Sequence, residues 1–181
     1  WPRKERGIMG FAEAIKGEKF TLLTEVDPPK GVDLKEFVDG VLGIRGRVTA
    51  VAVTDGSNAI MRMTPLAPCR ALIEHNVEPV MVINGRDRNR ISFQGDLLSA
   101  WALGVSNVIL EQGQDPKVGD QPLAGSSSDL NLDAMLQSVC SLNEGKDLAG
   151  ETLQGKTDYL VGVALDVSDD INVNRKTAGQ I

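Results

Sequence analysis

The sequence predicts an α/β fold built from parallel βα units, and three observations predict it. Short runs rich in Val, Ile, Leu and Thr alternate with helix-patterned stretches along the 181 residues. Several of the runs are apolar at almost every position, as strands buried on both faces are. The runs start at 20, 48, 79, 107 and 159, and the first three spacings, 28, 31 and 28 residues, each match one βα unit.

The five predicted strands are Phe20–Asp27 (FTLLTEVD), Val48–Asp55 (VTAVAVTD), Pro79–Asn84 (PVMVIN), Asn107–Glu111 (NVILE) and Tyr159–Asp166 (YLVGVALD), each bounded by Gly, Pro, Asn or Asp. A helical extension over about 1–19 precedes them. Between the strands, Asp33–Leu42 opens with Asp33 and Glu36 at the spacing of a capping box. Thr64–Asn76 carries Pro65 near its start, where a missing N–H costs little. Asn89–Gly104 repeats Ile91, Leu98, Trp101, Ala102 and Val105 at helical period, with Gly104 as its stop. Leu132–Leu142 is a shorter amphipathic helix. The last strand interval is 52 residues, and its excess is polar loop at Asp115–Ser128 and Asn143–Asp158. Long loops of this kind are usually functional or disordered. Five such strands complete a flavodoxin-like sheet or form the first five-eighths of a TIM barrel, and periodicity alone does not choose. Both architectures keep their chemistry at the C-terminal ends of the strands.

Composition narrows the function. Nineteen Lys and Arg against 25 Asp and Glu give a formal charge of −6, which argues against nucleic acid as a partner. No apolar run approaches the roughly 20 residues needed to cross a bilayer, and no signal-peptide pattern follows the charged N-terminus, so a cytoplasmic location is the default expectation. Cys69 and Cys140 show no CxxC spacing and His75 is the single histidine, which excludes a disulfide framework and a structural zinc site. Both cysteines fall in helical patterns as packed side chains, His75 is a surface or capping residue, and Trp101 is core.

At the strand ends, Glu25 interrupts an apolar run, where an unpaired carboxylate is costly to bury. It is either ion-paired, to Lys30 or an arginine, or a general acid in a partly dry pocket. Thr54-Asp55-Gly56-Ser57-Asn58 forms a tight turn exposing backbone N–H groups. Gly85-Arg86-Asp87-Arg88-Asn89-Arg90 places three arginines just before a helix: a solvated cluster with Asp87 pairing locally, or an anion site. Glu111-Gln112-Gly113-Gln114-Asp115 opens a polar loop, and the common nucleotide and hydrolase fingerprints are absent.

Taken together these segments resemble the methylenetetrahydrofolate reductase family. The resemblance is carried by TEVDPPKG (24–31), VTDGSNAIMRMTPLA (53–67), GRDRNRISFQGDLLSAWALGVSNVIL (85–110), GQDPKVGDQPLA (113–124), NEGKDLAG (143–150) and YLVGVALD (159–166), in the family's order and near its spacing. It implies a TIM-barrel-type α/β fold, here a partial barrel with five strands in a single domain spanning 1–181. It further implies a flavin, FAD or alternatively FMN, at the strand ends, NAD(P)H as co-substrate and a folate as substrate. The implied reaction reduces 5,10-methylenetetrahydrofolate to 5-methyltetrahydrofolate, with Glu25 as the general acid that protonates the departing nitrogen. Thr54, Asp55 and Ser57 match the loop that touches flavin and dinucleotide. Gln112, Gly113 and Gln114 match the loop beside flavin and pterin. Asp166 falls where strand five meets the cofactor, and Lys176, with Arg175, corresponds to basic residues near the flavin phosphates.

Two departures from the family bear on this. Gln114 stands where the family usually has Asp, with Asp115 following, and the sequence stops at Ile181, after the fifth strand. They motivate an alternative from another class: a non-catalytic folate- or flavin-binding subunit, completed by a partner chain or an oligomer. A third reading, a self-contained flavodoxin-like domain, is separated from the barrel by strand order, 2-1-3-4-5 against 1-2-3-4-5.

Overall fold

A computed structural model describes residues 10–17, 20–127 and 129–164. In chain order its elements are α1 (Phe11–Lys16), β1 (Leu23–Val26), α2 (Lys35–Gly43), β2 (Ala50–Val53), α3 (Leu66–Glu74), β3 (Pro79–Asn84), α4 (Arg90–Ala102), β4 (Asn107–Glu111), α5 (Leu132–Glu144) and β5 (Leu160–Val163). The strands form one sheet in the order β1-β2-β3-β4-β5, every neighbouring pair parallel. Sequential order is that of a barrel wall and excludes the flavodoxin arrangement.

The faces of the sheet agree. On one face Val51, Val53, Met81, Ile83, Val108 and Leu110 pack against Phe37 and Val41 of α2, Leu72 of α3, Phe93 and Leu97 of α4, and Met135 and Leu142 of α5. All four crossover helices therefore lie on the same side, whereas a doubly wound sheet places helices on both. The other face carries the alternate residues Ala50, Ala52, Val80 and Val82, with Leu23, Ile109 and Leu160, and among the described residues the only helical residue packed there is Phe11 of α1. This is the inner face of a barrel wall. Phe11 closes its lower end, where the Phe11 amide donates to Glu78 Oε2 at 3.0 Å and Asn107 Nδ2 donates to Glu78 Oε1 at 3.0 Å.

The helix-covered side is the main core. Leu72, Leu97, Leu142 and Phe93 are fully buried, and truncating any of these leucines to Ala costs about 2–5 kcal/mol in such a setting. Tyr159 ties β5 to α4: its hydroxyl donates to Leu97 O at 2.5 Å, and its ring meets Trp101 edge-on at 5.2 Å.

β3 and β4 span the predicted residues, and β1, β2 and β5 are shorter than predicted. β1 begins at Leu23, because Phe20 is 94% exposed and, among the described residues, β1 has a ladder partner on one side only. In α2 the Asp33 and Glu36 box does not form: Leu34 is the cap residue, and Asp33 Oδ1 accepts from the Lys35 amide at 2.8 Å in a local turn. The apolar stripe predicted for α4 is covered only in part: Val105, just past the helix, is fully buried and Trp101 packs against the core, but the N-terminal members are not covered. Ile91 is 82% exposed and Leu98 is exposed, while Phe93, Leu97 and Ala100 are buried. Trp101 is half-buried against the core rather than within it. Cys69 is buried as expected, but Cys140 faces solvent on α5, and His75 is an exposed C-cap whose Nδ1 lies 2.9 Å from Ala71 O. The polar stretch 143–158 folds back on itself through a Lys146–Thr152 bridge, and Asn143 Oδ1 accepts from both Thr157 Oγ1 and the Tyr159 amide.

Candidate functional site

Strand register decides which side chains reach the mouth of the barrel wall. Glu25 lies opposite Ala52, an inner-face residue, so Glu25 also belongs to the inner face. It is exposed, and among the described residues it makes no ion pair. Lys30, the partner expected from spacing, reaches Asp120 instead. The neighbouring Asp27 is occupied, accepting from Thr54 Oγ1 at 2.5 Å and facing Arg62 Nη2 at 3.5 Å. Thr54 itself is buried at the end of β2.

Asp55 points elsewhere. It is 6% exposed, and Arg88, 7% exposed, places Nη1 2.5 Å from Asp55 Oδ2. The Asn84 amide donates to the same Oδ2 at 3.0 Å, and Asn84 Nδ2 returns to Asp55 O at 2.9 Å. Arg88 Nε then reaches Asp96 of α4 at 2.8 Å. Burial pushes the Asp55 carboxyl above the ordinary carboxylate range, opposed first by the Arg88 charge and then by the Asn84 amide. The ends of β2 and β3 and the start of α4 are therefore clamped by one buried network, and Asp55 is a structural member of it.

Each of the three arginines after β3 is spent within the protein. Arg86 holds Asp87 through Nε at 2.7 Å and Nη2 at 2.5 Å, and donates from Nη1 to Gln114 O at 3.1 Å. Arg88 belongs to the clamp, and Arg90 pairs with Asp129 at 3.2 Å. The local pairing of Asp87 is the reading that holds, and the cluster is not a free anion site.

The loops after β1, β2 and β4 are fastened to one another. Asp120 takes Lys30 from the first and accepts from the Met61 amide of the second at 2.9 Å. A Cβ at Gly119 would stand 1.8 Å from Ala59 O, so only glycine lets the second and third loops touch. Ala59 has φ of 54° and its neighbour Asn58 has φ of 56°, a left-handed conformation that side chains other than Gly rarely adopt. Ser57 is half-buried at the head of this loop. Across it, Gln112 and Gln114 are exposed on either side of Gly113, whose φ is 80°. Gln112 Nε2 donates to Leu130 O at 3.1 Å. Asp115 faces solvent, and its carboxylate caps the following turn by accepting from the Lys117 amide at 2.9 Å. Asp166 and Lys176 lie outside the described residues, as does most of the expected N-terminal extension.

One inner-face carboxyl was not singled out from sequence. Glu111 ends β4 opposite Asn84, and burial pushes it up to about 7; repulsion from Asp55 adds to this, Arg86 pulls the other way and Glu25 contributes a smaller push. Its signal was present in the sequence: a charged residue closing the apolar run NVILE, as Glu25 interrupts LLTEV.

The mouth thus joins two inner-face carboxyls, Glu25 and Glu111, to a rim of hydroxyl, amide and backbone groups from Ser57, Gln112, Gly113 and Gln114. Small residues, Ala50, Ala52 and Gly162, line the wall below. Among the described residues no group of three or more His, Cys, Asp or Glu could hold a metal ion, and no helix is long and apolar enough to cross a membrane. The family model for methylenetetrahydrofolate reductase matches residues 11–148, which include every described element except β5. No curated protein matches the chain.

Proposed function

The chain belongs to the methylenetetrahydrofolate reductase family, and from that premise we propose that it acts in the flavin-dependent reduction of 5,10-methylenetetrahydrofolate to 5-methyltetrahydrofolate by NAD(P)H. The family is one of oxidoreductases acting in folate-linked reduction; the flavin, the nicotinamide donor and the acid are this proposal's own. The observation that carries it is Glu25: a carboxyl on the inner face at the mouth, exposed, and unpaired among the described residues. An acid that must meet a substrate has to be reachable in this way.

The residues present suit a flavin. A flat ring system needs a wall with short side chains, which Ala52 and Gly162 provide, and edge partners that both donate and accept, which amides and hydroxyls do. Gln112, Gly113, Gln114 and Ser57 would hold it, with FAD preferred over FMN. Thr54 and Asp55 contribute by fixing the loop, since their side chains are engaged with Asp27 and with Arg88 and Asn84. Lys176 and Asp166 remain in the proposal on the resemblance alone. A bound flavin supplies the two-electron chemistry between nicotinamide and folate.

The protein's own task is to deliver a proton. The methylene bridge of the folate must open to an electrophilic iminium before it accepts hydride, and the nitrogen that leaves takes a proton from Glu25. Correct placement of such an acid contributes about 10²–10⁴ in rate. Replacing Glu25 with Gln should therefore abolish folate reduction while leaving NADH-dependent flavin reduction largely intact. Equal loss in both half-reactions refutes the assignment, and a stable but colourless protein refutes the flavin. Gln114 favours a second reading, because a neutral amide brings no charge to the ring. A non-catalytic folate- or flavin-binding subunit would bind both ligands and turn over neither.

A further inference from the structure

Glu25 can serve as an acid only if the strand end that carries it stays in place, and the contacts around that end show what fixes it. β1 stops at Val26, and the chain leaves through Asp27, Pro28 and Pro29. Proline holds its own φ at about −65° and keeps the residue before it extended, so these three residues form a stiff arm with few soft joints. A displacement at one end of such an arm reaches the other. Among the described residues, every hydrogen bond that the arm accepts comes from the β2 side. Thr54 Oγ1 donates to Asp27 Oδ1 at 2.5 Å, Arg62 Nη1 to Pro28 O at 3.1 Å and the Met63 amide to Pro29 O at 3.1 Å. Arg62 Nη2 also faces Asp27 Oδ2 at 3.5 Å.

Thr54 and Met63 each grip the arm at one point, whereas Arg62 grips it at two. Its guanidinium is a rigid planar fork, so it sets the angle between the Asp27 carboxylate and the Pro28 carbonyl as well as their distance. The fork has a fixed base, because the Met61 amide on one side donates to Asp120 Oδ1 at 2.9 Å and the Met63 amide on the other holds Pro29 O. Keeping it there is costly. The Arg62 side chain is largely buried, and its Nε–H is enclosed without an acceptor among the described residues; a buried donor left unmet costs about 1–3 kcal/mol. A plain tether to one carbonyl would not require that. We propose that Arg62 is the positioning residue for Glu25: from the loop after β2 it braces the Asp27–Pro29 arm and so sets where the Glu25 carboxyl meets the nitrogen it protonates. The role in turnover rests on the folate-reductase reading; the brace itself does not.

Two variants test it. Arg62→Ala removes both contacts, and Arg62→Lys keeps the charge and the stem but replaces the two-nitrogen fork with a single nitrogen. Misplacing a reacting group by about 1 Å can cost about 10²-fold, so in the flavin-loaded full chain the folate half-reaction should slow about a hundredfold in Arg62→Ala and about tenfold in Arg62→Lys. Reduction of the flavin by NADH, which does not use Glu25, should keep its wild-type rate in both. Carboxyl ¹³C NMR of glutamate-labelled protein, with neither flavin nor folate added, identifies the Glu25 resonance by its loss in Glu25→Gln. That resonance should move in Arg62→Lys, where the charge is unchanged, and stay in place in Arg90→Lys, whose partner is Asp129. Equal slowing of both half-reactions marks a merely structural residue and overturns the proposal, as does a wild-type folate half-reaction or an unmoved Glu25 resonance. Arg62→Lys decides alone should Arg62→Ala fold poorly. A colourless protein in which the Glu25 resonance still moves would sink the reductase reading and leave the brace standing.

Discussion

Replacing Arg88 with Ala tests the clamp that fixes the mouth. Arg88 and Asp55 are each at least nine-tenths buried, 2.5 Å apart, and Arg88 also holds Asp96 at 2.8 Å and Asn84 O at 3.2 Å. Truncation leaves the Asp55 carboxyl buried with one amide donor from Asn84. Removing one partner of a buried pair costs about 3–5 kcal/mol, a large part of the 5–15 kcal/mol that holds a typical fold. For a chain of this length that corresponds to a fall of roughly 10 °C in Tm. The pH dependence has a definite sign. Arg88 is the strongest influence lowering an Asp55 carboxyl that burial already raises, so the variant raises it further. An acid whose folded-state pKa lies above its unfolded value stabilises the fold below the unfolded pKa and loses that contribution as pH rises through the folded one. The deficit of the variant should therefore be greater at pH 7 than at pH 5. Urea unfolding of the full chain at both values, read by far-UV circular dichroism and extrapolated linearly, measures it. A loss below about 1 kcal/mol at pH 7, which is the range of a surface ion pair, would refute the argument, as would a deficit equal at both pH values.

Two further outcomes are expected. Gly119→Ala drives a methyl into Ala59 O and should cost about 1–3 kcal/mol by overpacking, with faster proteolytic nicking near Ala59; an unchanged nicking rate would contradict the loop contact. Asn89→Ala removes the cap whose Oδ1 accepts the Ile91 and Ser92 amides, both at 3.0 Å, and should cost about 1 kcal/mol in urea unfolding. Asn89→Asp should restore most of that loss.

What was legible in the sequence follows from burial. All six residues of β3 are buried, so an unbroken apolar run marks its ends. Among the described residues β1 pairs on one side only, and the residues before it, Phe20 and Leu22, are apolar without being covered by them. Helix α4 misled for a related reason. Ile91, Leu98 and Trp101 make one helical stripe and Phe93, Leu97 and Ala100 another, so period alone could not tell the covered side from the open one. At the mouth, Glu25 stood out because a carboxylate in an apolar strand needs a reason. The role of Asp55 did not, because its partner Arg88 lies 33 residues away, and only the parallel register of β2 and β3 brings the two together. Glu111 carried the same signal as Glu25 but merged with the polar loop that follows it.

The fastening of Lys30, Met61 and Asp120, together with the touch of Gly119 on Ala59, has a consequence for anyone remodelling this scaffold. Three connections that leave different strands share one set of joints, so exchanging any single connection for that of a relative breaks joints owned by the other two. Grafts here should succeed when 28–31, 57–63 and 113–120 are transplanted as a set, and one-at-a-time chimaeras should be the ones that lose their shape.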